Sequence, residues 1–221
     1  MITIAEQLAR LQAEILRWNQ QISLVSRVDP DQTVVDLVAE CQRAWTQVVE
    51  RLEERGWGAD TCWFDIGSGA GLPGLVWAAQ GQHDGWLGRF ILVEPRDKRA
   101  WFLNRAARSM ELEGTSIVAA RWGESVDPSD VAGARGAVLS FKALRMGDRE
   151  ALAGVAADRG LDGVDRVAIV RFLGAGEPEA ELLLDEFGPG VGEPESGWVF
   201  DGGENLGAGN PHLLMVFYRR A

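Results

Sequence analysis

With 221 residues, 46% of them hydrophobic and 25% charged, the chain has the length and balance of one globular unit with a buried core, and a composition unlike disordered or fibrous chains. Its 22 Lys and Arg against 33 Asp and Glu give a formal charge of −11, which excludes a positive field over the whole molecule of the kind that phosphate contacts need. No apolar run approaches the ~20 residues that cross a bilayer, no basic segment precedes an apolar signal core, and Cys41 and Cys62 make neither a disulfide framework nor a metal cluster; a cytoplasmic protein without membrane or metal partners is expected.

Ile4, Leu8, Leu11, Ile15 and Trp18 recur at three- and four-residue spacing and predict an amphipathic helix that opens the chain. A second helix follows Pro30, from about Thr33 to Arg55, with Val34, Val38, Cys41, Trp45, Val48 and Leu52 in phase before Gly56 and Gly58 stop it. Strands and helices then alternate: strand Cys62 to Ile66 and helix Pro73 to Gln80; strand Phe90 to Val93 and helix Asp97 to Met110; strand Ser116 to Ala119; strand Ala137 to Phe141 and a helix around Arg149 to Asp158; strand Arg166 to Phe172. That order predicts a doubly wound α/β fold with a mostly parallel sheet covered on both faces. A helix near Glu179 to Asp185 and a Gly- and Pro-rich stretch from Phe187 to Ser196 precede two late strands, Gly197 to Phe200 and Leu213 to Tyr218, which suit an antiparallel edge. Residues 1–58 are thus a helical region packed on a core of residues 59–221.

Charge is unevenly spread. Between Arg171 and Arg219 no Lys or Arg occurs while nine acids do; from Arg89 to Arg121 seven basic residues face four acidic ones. A local basic face is therefore compatible with the negative total.

The stretch Cys62-Trp-Phe-Asp-Ile-Gly-Ser-Gly-Ala-Gly-Leu-Pro-Gly74 reads as a buried strand turning through glycines into a helix, the place where ligands dock in doubly wound folds. Gly69, Gly71 and Gly74 fit the G-x-G-x-x-G spacing of dinucleotide sites as well as a loop for S-adenosylmethionine. Asp65 favours the second ligand, since a carboxylate at the strand end attracts a methionine ammonium and repels a pyrophosphate; a helix-capping role is its alternative reading. Glu94 ends the next strand, where an acid accepts ribose hydroxyls of either cofactor. Trp122 beside Gly123 suits stacking on a purine, although a core tryptophan is the commoner explanation among nine. His83 and His212 lack neighbouring ligands for a metal.

These residues resemble the glucose-inhibited division protein B family, methyltransferases of class I that modify N7 of a guanine in 16S ribosomal RNA. Asp65-Ile-Gly-Ser-Gly-Ala-Gly-Leu-Pro-Gly74 is similar to the family's D-x-G-[ST]-G-x-G-x-P-G, and Lys98-Arg-Ala-Trp-Phe-Leu103 to its K-R-x-x-F-L; Trp18-Asn19, Leu24 and Val28-Asp29-Pro30 match its N-terminal region. The resemblance implies S-adenosylmethionine held by Asp65, Gly67, Ser68, Gly69, Gly71, Leu72, Glu94, Pro95, Trp122, Gly123, Glu124, Ser140 and Phe141. Lys98, Arg99, Arg121 and Lys142 are its substrate-side candidates, toward 16S ribosomal RNA or the 30S subunit, in a monomer; no residue is singled out as catalytic. Three departures fall on the substrate side more than on the cofactor side. The family's His-Ile-x-Asp-Ser reads Leu37-Val-Ala-Glu-Cys41, its Arg-x-Glu reads Arg121-Trp-Gly-Glu124, and its Ser-Arg-Ala reads Ser140-Phe-Lys142. If the fourth strand continues through Lys142, that side chain points away from the position of the missing arginine. The alternatives are a divergent paralogue acting on a small molecule or protein, and a protein that binds the cofactor without turnover.

Overall fold

The computed structural model describes residues 2–86, 88–124, 128–144, 146–173, 197–206 and 212–221. The predicted helix at Glu179 to Asp185 and the Gly- and Pro-rich stretch after it lie outside these residues.

Helix α1 (Ile4–Ile22) begins where Thr3 and Glu6 cap each other reciprocally and ends at Ser23, whose φ of 56° breaks the helical run. Helix α2 spans Pro30–Glu54. It starts earlier than the pattern predicts because Pro30 sits in the first turn, where its missing N–H costs nothing, and the Asp29 carboxylate accepts from Gln32 N at 3.4 Å. Then come β1 (Thr61–Ile66), α3 (Gly74–Asp84), β2 (Arg89–Val93), α4 (Asp97–Ser109), β3 (Thr115–Val118), β4 (Gly136–Phe141), α5 (Asp148–Ala157), β5 (Arg166–Phe172), β6 (Trp198–Leu206) and β7 (Leu213–Arg220).

The strands form one sheet in the order β3-β2-β1-β4-β5-β7-β6. The first five are parallel, and β7 enters antiparallel between β5 and β6. The late pair is therefore antiparallel as predicted, with β6 outermost. Between β1 and β4 the winding reverses direction, which opens a crevice beyond the carboxyl ends of those two strands.

Alternation along each strand divides the core in two. Trp63, Phe90, Leu92 and Val138 face α1, α2 and α3, whereas Phe64, Ile66, Ile91, Leu139 and Phe141 face α5. The first layer is aromatic: the Trp63 ring lies 5.0 Å from Trp45, 5.8 Å from Trp77 and 5.5 Å from Phe90. Cys41 and Cys62 are free and buried, and burial pushes both thiols up, Cys62 to about 12, so neither is a nucleophile. Among the described residues no helix is long and apolar enough to cross a membrane. No group of three His, Cys, Asp or Glu among them is placed to hold a metal.

Helix α5 approaches the sheet by way of Gly154. A Cβ there would stand 2.0 Å from Trp122 Nε1. Alanine has a helix propensity better by about 1 kcal/mol, but overpacking costs about 1–3 kcal/mol and should win. Gly154→Ala is expected to lower the thermal midpoint, with a red shift of tryptophan emission as Trp122 leaves its seat; a higher midpoint would mean that the indole has room to move.

Candidate active site

The strand β1 is buried along its whole length and delivers its end, Asp65-Ile66, into the crevice. Gly67 N and Ser68 N both donate to Val93 O, at 2.8 and 3.2 Å, so the loop is tied to the end of β2 as it leaves β1. Gly67, Gly69 and Gly71 take φ of 74°, 54° and 80°, a region that side chains disfavour. Ser68 Oγ donates to Asp65 O at 2.7 Å. Leu72 is buried, and Pro73 stands at the N-cap of α3.

Asp65 is 4% exposed. One carboxylate oxygen accepts from Gly74 N at 3.1 Å and the other from Ser140 Oγ at 3.1 Å. The capping reading is thus realised: Asp65, one residue before the end of β1, holds the first N–H of α3. Only glycine fits at residue 74, since a Cβ would lie 2.7 Å from Asp65 Oδ2. Burial, only partly offset by these hydrogen bonds, pushes the Asp65 carboxyl up to about 6.

Glu94, 3% exposed, spans the other side of the loop. Its Oε2 accepts from Gly69 N at 3.0 Å and its Oε1 from Arg96 N at 3.0 Å. Pro95 and Lys98 are exposed beside it. Arg99 reaches back, donating to Ser23 O at 3.0 Å, with Nη1 3.6 Å from where a Cβ on Gly69 would be. The structure therefore brings Asp65, the glycines and Glu94 into one cradle. Its charge is negative and only Gly67 and Gly69 of the loop are partly exposed, a set suited to a ligand bearing an ammonium and a diol and hostile to a pyrophosphate.

Residues 4–146 match the family GidB, described as rRNA small subunit methyltransferase G. The chain belongs to this family. The match runs from α1 to the loop after β4 and so contains the whole cradle. Among curated relatives, ribosomal RNA small subunit methyltransferase G of Cereibacter sphaeroides is 32% identical over 133 residues, 59% of this chain and 60% of that protein. The protein of the same description from Desulfotalea psychrophila is 32% identical over 108 residues, 49% of this chain and 44% of its own length. The matched stretch thus spans less than two thirds of either relative. Among solved structures, magnesium protoporphyrin IX methyltransferase (ChlM) from Synechocystis PCC 6803 with bound SAM superposes with a TM-score of 0.53 at 13% identity, covering 97% of each chain. MtNAS in complex with MTA and tNA gives 0.57 at 13% identity over 99% of this chain and 71% of that one. The fold is that of class I methyltransferases.

Two positions in the segments where this chain departs from the GidB pattern, Glu40 and Lys142, meet. Strand β4 ends at Phe141 and Ala143 takes a φ of 57°, yet Lys142 still lies on the face opposite Phe141. Its ammonium pairs with the Glu40 carboxylate on α2, both side chains being less than one-fifth exposed, and lies 4.4 Å from the centre of the Phe172 ring. Lys142 thus points away from the Phe141 position, as strand alternation predicts. Its partner Glu40, 102 residues distant, has no signal in the local pattern. Leu144 then folds back toward Gly67, its Cδ2 3.2 Å from the place of a Cβ there.

The turn after β3 is closed by Glu124, which accepts from Arg121 N at 3.1 Å; both side chains are exposed. Trp122 is half-buried, edge-on to Phe64 at 5.2 Å, and donates its indole N–H to Ala151 O at 2.9 Å. Gly123 lies against Gly154, 3.3 Å from its Cα to the place of a Cβ. Phe141 is buried beneath the Arg171 guanidinium, 5.0 Å from the ring centre. His212, through its carbonyl, accepts from Leu173 N at 2.9 Å and so marks the same edge of the sheet. His83 is exposed elsewhere, beside Gln7 at 3.1 Å.

Proposed function

We propose that the protein is an S-adenosylmethionine-dependent methyltransferase acting on N7 of a guanine in 16S ribosomal RNA, as a cytoplasmic monomer whose residues 1–58 and 59–221 work as one unit. The observation that carries the reading is the cradle of Asp65, left-handed glycines and Glu94 at the switch between β1 and β4, in a chain of the GidB family. The names of its relatives supply the acceptor class.

In this reading Gly67, Ser68, Gly69, Gly71 and Leu72 line the methionine end, with Asp65 supplying negative charge behind them. Glu94 holds the ribose, for each of its oxygens accepts one backbone N–H and keeps a second lone pair. Pro95 and the turn Trp122-Gly123-Glu124 flank the adenine; the Trp122 N–H is already engaged, so its ring is what it offers. Ser140 and Phe141 form the floor. When bound, S-adenosylmethionine supplies a methyl group on a positively charged sulfur. Guanine N7 carries a free lone pair and no proton, so the protein needs no general base and contributes by alignment. Lys98, Arg99, Arg121 and Lys142 are the basic residues this reading assigns to the acceptor, with Lys142, its ammonium held by Glu40, as the donor to guanine O6.

Calorimetric titration with S-adenosylmethionine and with NAD(P), alongside tritium transfer to 30S subunits lacking the guanine methylation, tests the proposal. Binding of the first with transfer to 30S is expected. Binding without transfer redirects the acceptor to a small molecule or protein, or removes turnover altogether; absence of binding overturns the proposal. Lys142→Met is expected to keep cofactor affinity and to lower transfer by about tenfold, the worth of one hydrogen bond to a charged group. Unchanged transfer would take Lys142 out of the acceptor site.

A further inference from the structure

Beside the cradle, helices α1 and α4 present an aromatic surface that neither the cofactor nor the methyl-transfer reading uses. Trp101 is 49% exposed, large for an indole in a chain whose other tryptophans mostly build the core. Its ring meets Trp18 edge to face at 4.8 Å, and this contact holds α1 to α4 while leaving Trp101 open to solvent. Two clefts adjoin it. One, of about 410 Å³, lies toward the start of α4 and includes Trp18 and Lys98; the other, of about 560 Å³, lies toward its end and includes Arg105 and Arg108.

The electrostatics of this face run against the net charge of −11. Arg105 is matched by Glu14 at 2.6 Å, and its guanidinium and that of Arg17 each stand 5.6 Å from the Trp18 ring. That leaves exposed Arg17, Lys98 and Arg108 against Asp97. A cationic rim around an open indole is the chemistry that binds an unpaired nucleotide, the base on the ring and the phosphates on the rim. The face is also continuous with the cradle, since Arg99, next to Lys98, bridges Ser23 at the end of α1 to the Gly69 loop.

We infer that Trp101, supported by Trp18 and rimmed by Arg17, Lys98 and Arg108, is a stacking platform for an unpaired nucleotide of the RNA strand that carries the methyl acceptor. The inference rests on the proposed RNA substrate. The platform fixes the path of the strand over α4 and leaves the cofactor cleft unchanged.

The test compares wild type, Trp101→Ala and Trp101→Phe in the full chain. A fluorescein-labelled single-stranded RNA decamer reports RNA affinity, calorimetry reports S-adenosylmethionine affinity, thermal unfolding controls for the α1–α4 contact, and sedimentation reports self-association. Trp101→Ala is expected to weaken RNA binding about tenfold, the worth of one stacked base, with cofactor affinity unaltered and with phenylalanine restoring most of the loss. RNA affinity equal in wild type and Trp101→Ala overturns the inference, as does a loss that follows unfolding and is shared by phenylalanine, or a change in sedimentation alone, which would make the face a contact between copies. Methyl transfer by wild type separates the two proposals. If wild type fails on 30S while alanine still loses RNA binding, the platform stands and the guanine acceptor falls; if wild type methylates 30S and alanine binds RNA equally, the reverse holds.

Discussion

Removing the Asp148 carboxylate is expected to destabilise the protein by about 3–5 kcal/mol, the range for breaking a buried ion pair by deleting one partner. Asp148 is 1% exposed at the start of α5 and accepts from both the Arg171 guanidinium on β5 and the Tyr218 hydroxyl on β7, the latter at 2.7 Å. Burial and the adjacent carboxylate push the Tyr218 hydroxyl up, so it remains a donor throughout the stable pH range. Arg171 also donates to Met146 O at 2.7 Å and covers Phe141. The pair therefore joins the helix, the parallel strand and the antiparallel strand beneath the floor of the cradle. Asp148→Ala should lower the urea midpoint far more than Tyr218→Phe, which deletes one hydrogen bond worth about 1 kcal/mol. Equal shifts would mean that the ion pair adds nothing beyond the tyrosine.

Asp65→Asn is expected to stabilise the cofactor-free protein near pH 7 by up to about 3 kcal/mol, the equivalent of a shift of about two pH units. The sign follows from burial. The folded carboxyl is raised to about 6 from an ordinary 3.8, so the folded state holds its proton more tightly than the unfolded chain. The stability this gives is complete below about pH 4 and is lost as pH rises through 6; asparagine does not ionise and keeps it. The gap between variant and wild type should thus open between pH 4 and 6 and then level off. A cationic ligand beside Asp65 prefers its ionised form, so wild-type affinity for S-adenosylmethionine should fall as pH drops below 6, and the variant should lose that dependence along with affinity. A flat stability difference across the window would show that the carboxyl titrates normally.

The cradle was legible because its determinants are local: glycines, a strand-end acid and a proline within ten residues, with Glu94 at the end of the next apolar run. The doubly wound order was legible from alternation alone. Other features depend on residues that meet only in three dimensions. Pro30 looks like a boundary in sequence and is a first-turn residue once Asp29 caps the helix. Trp122 invites a ligand role, yet its seat is a glycine on α5 and its N–H is taken by Ala151. That β7 lies inside β6, by contrast, is marked by composition, for Leu213 to Tyr218 is a continuous apolar run buried throughout whereas β6 carries Asp201, Glu204 and Asn205. Trp101 is one of nine tryptophans, and only its neighbours' burial distinguishes it.

The meeting of Glu40 with Lys142 alters how divergence in this chain is to be scored. Compared position by position with the GidB pattern, helix α2 has Leu37 for a histidine and Glu40 for an aspartate, and the end of β4 has Phe141 for an arginine, each a separate departure. Glu40, standing for the family's acid, and Lys142 form one charge pair, while Leu37 and Phe141 leave the histidine and arginine positions without a charge. Variation at either site is then constrained by the other, and a substitution that looks tolerable at residue 40 in isolation becomes costly whenever residue 142 remains a lysine.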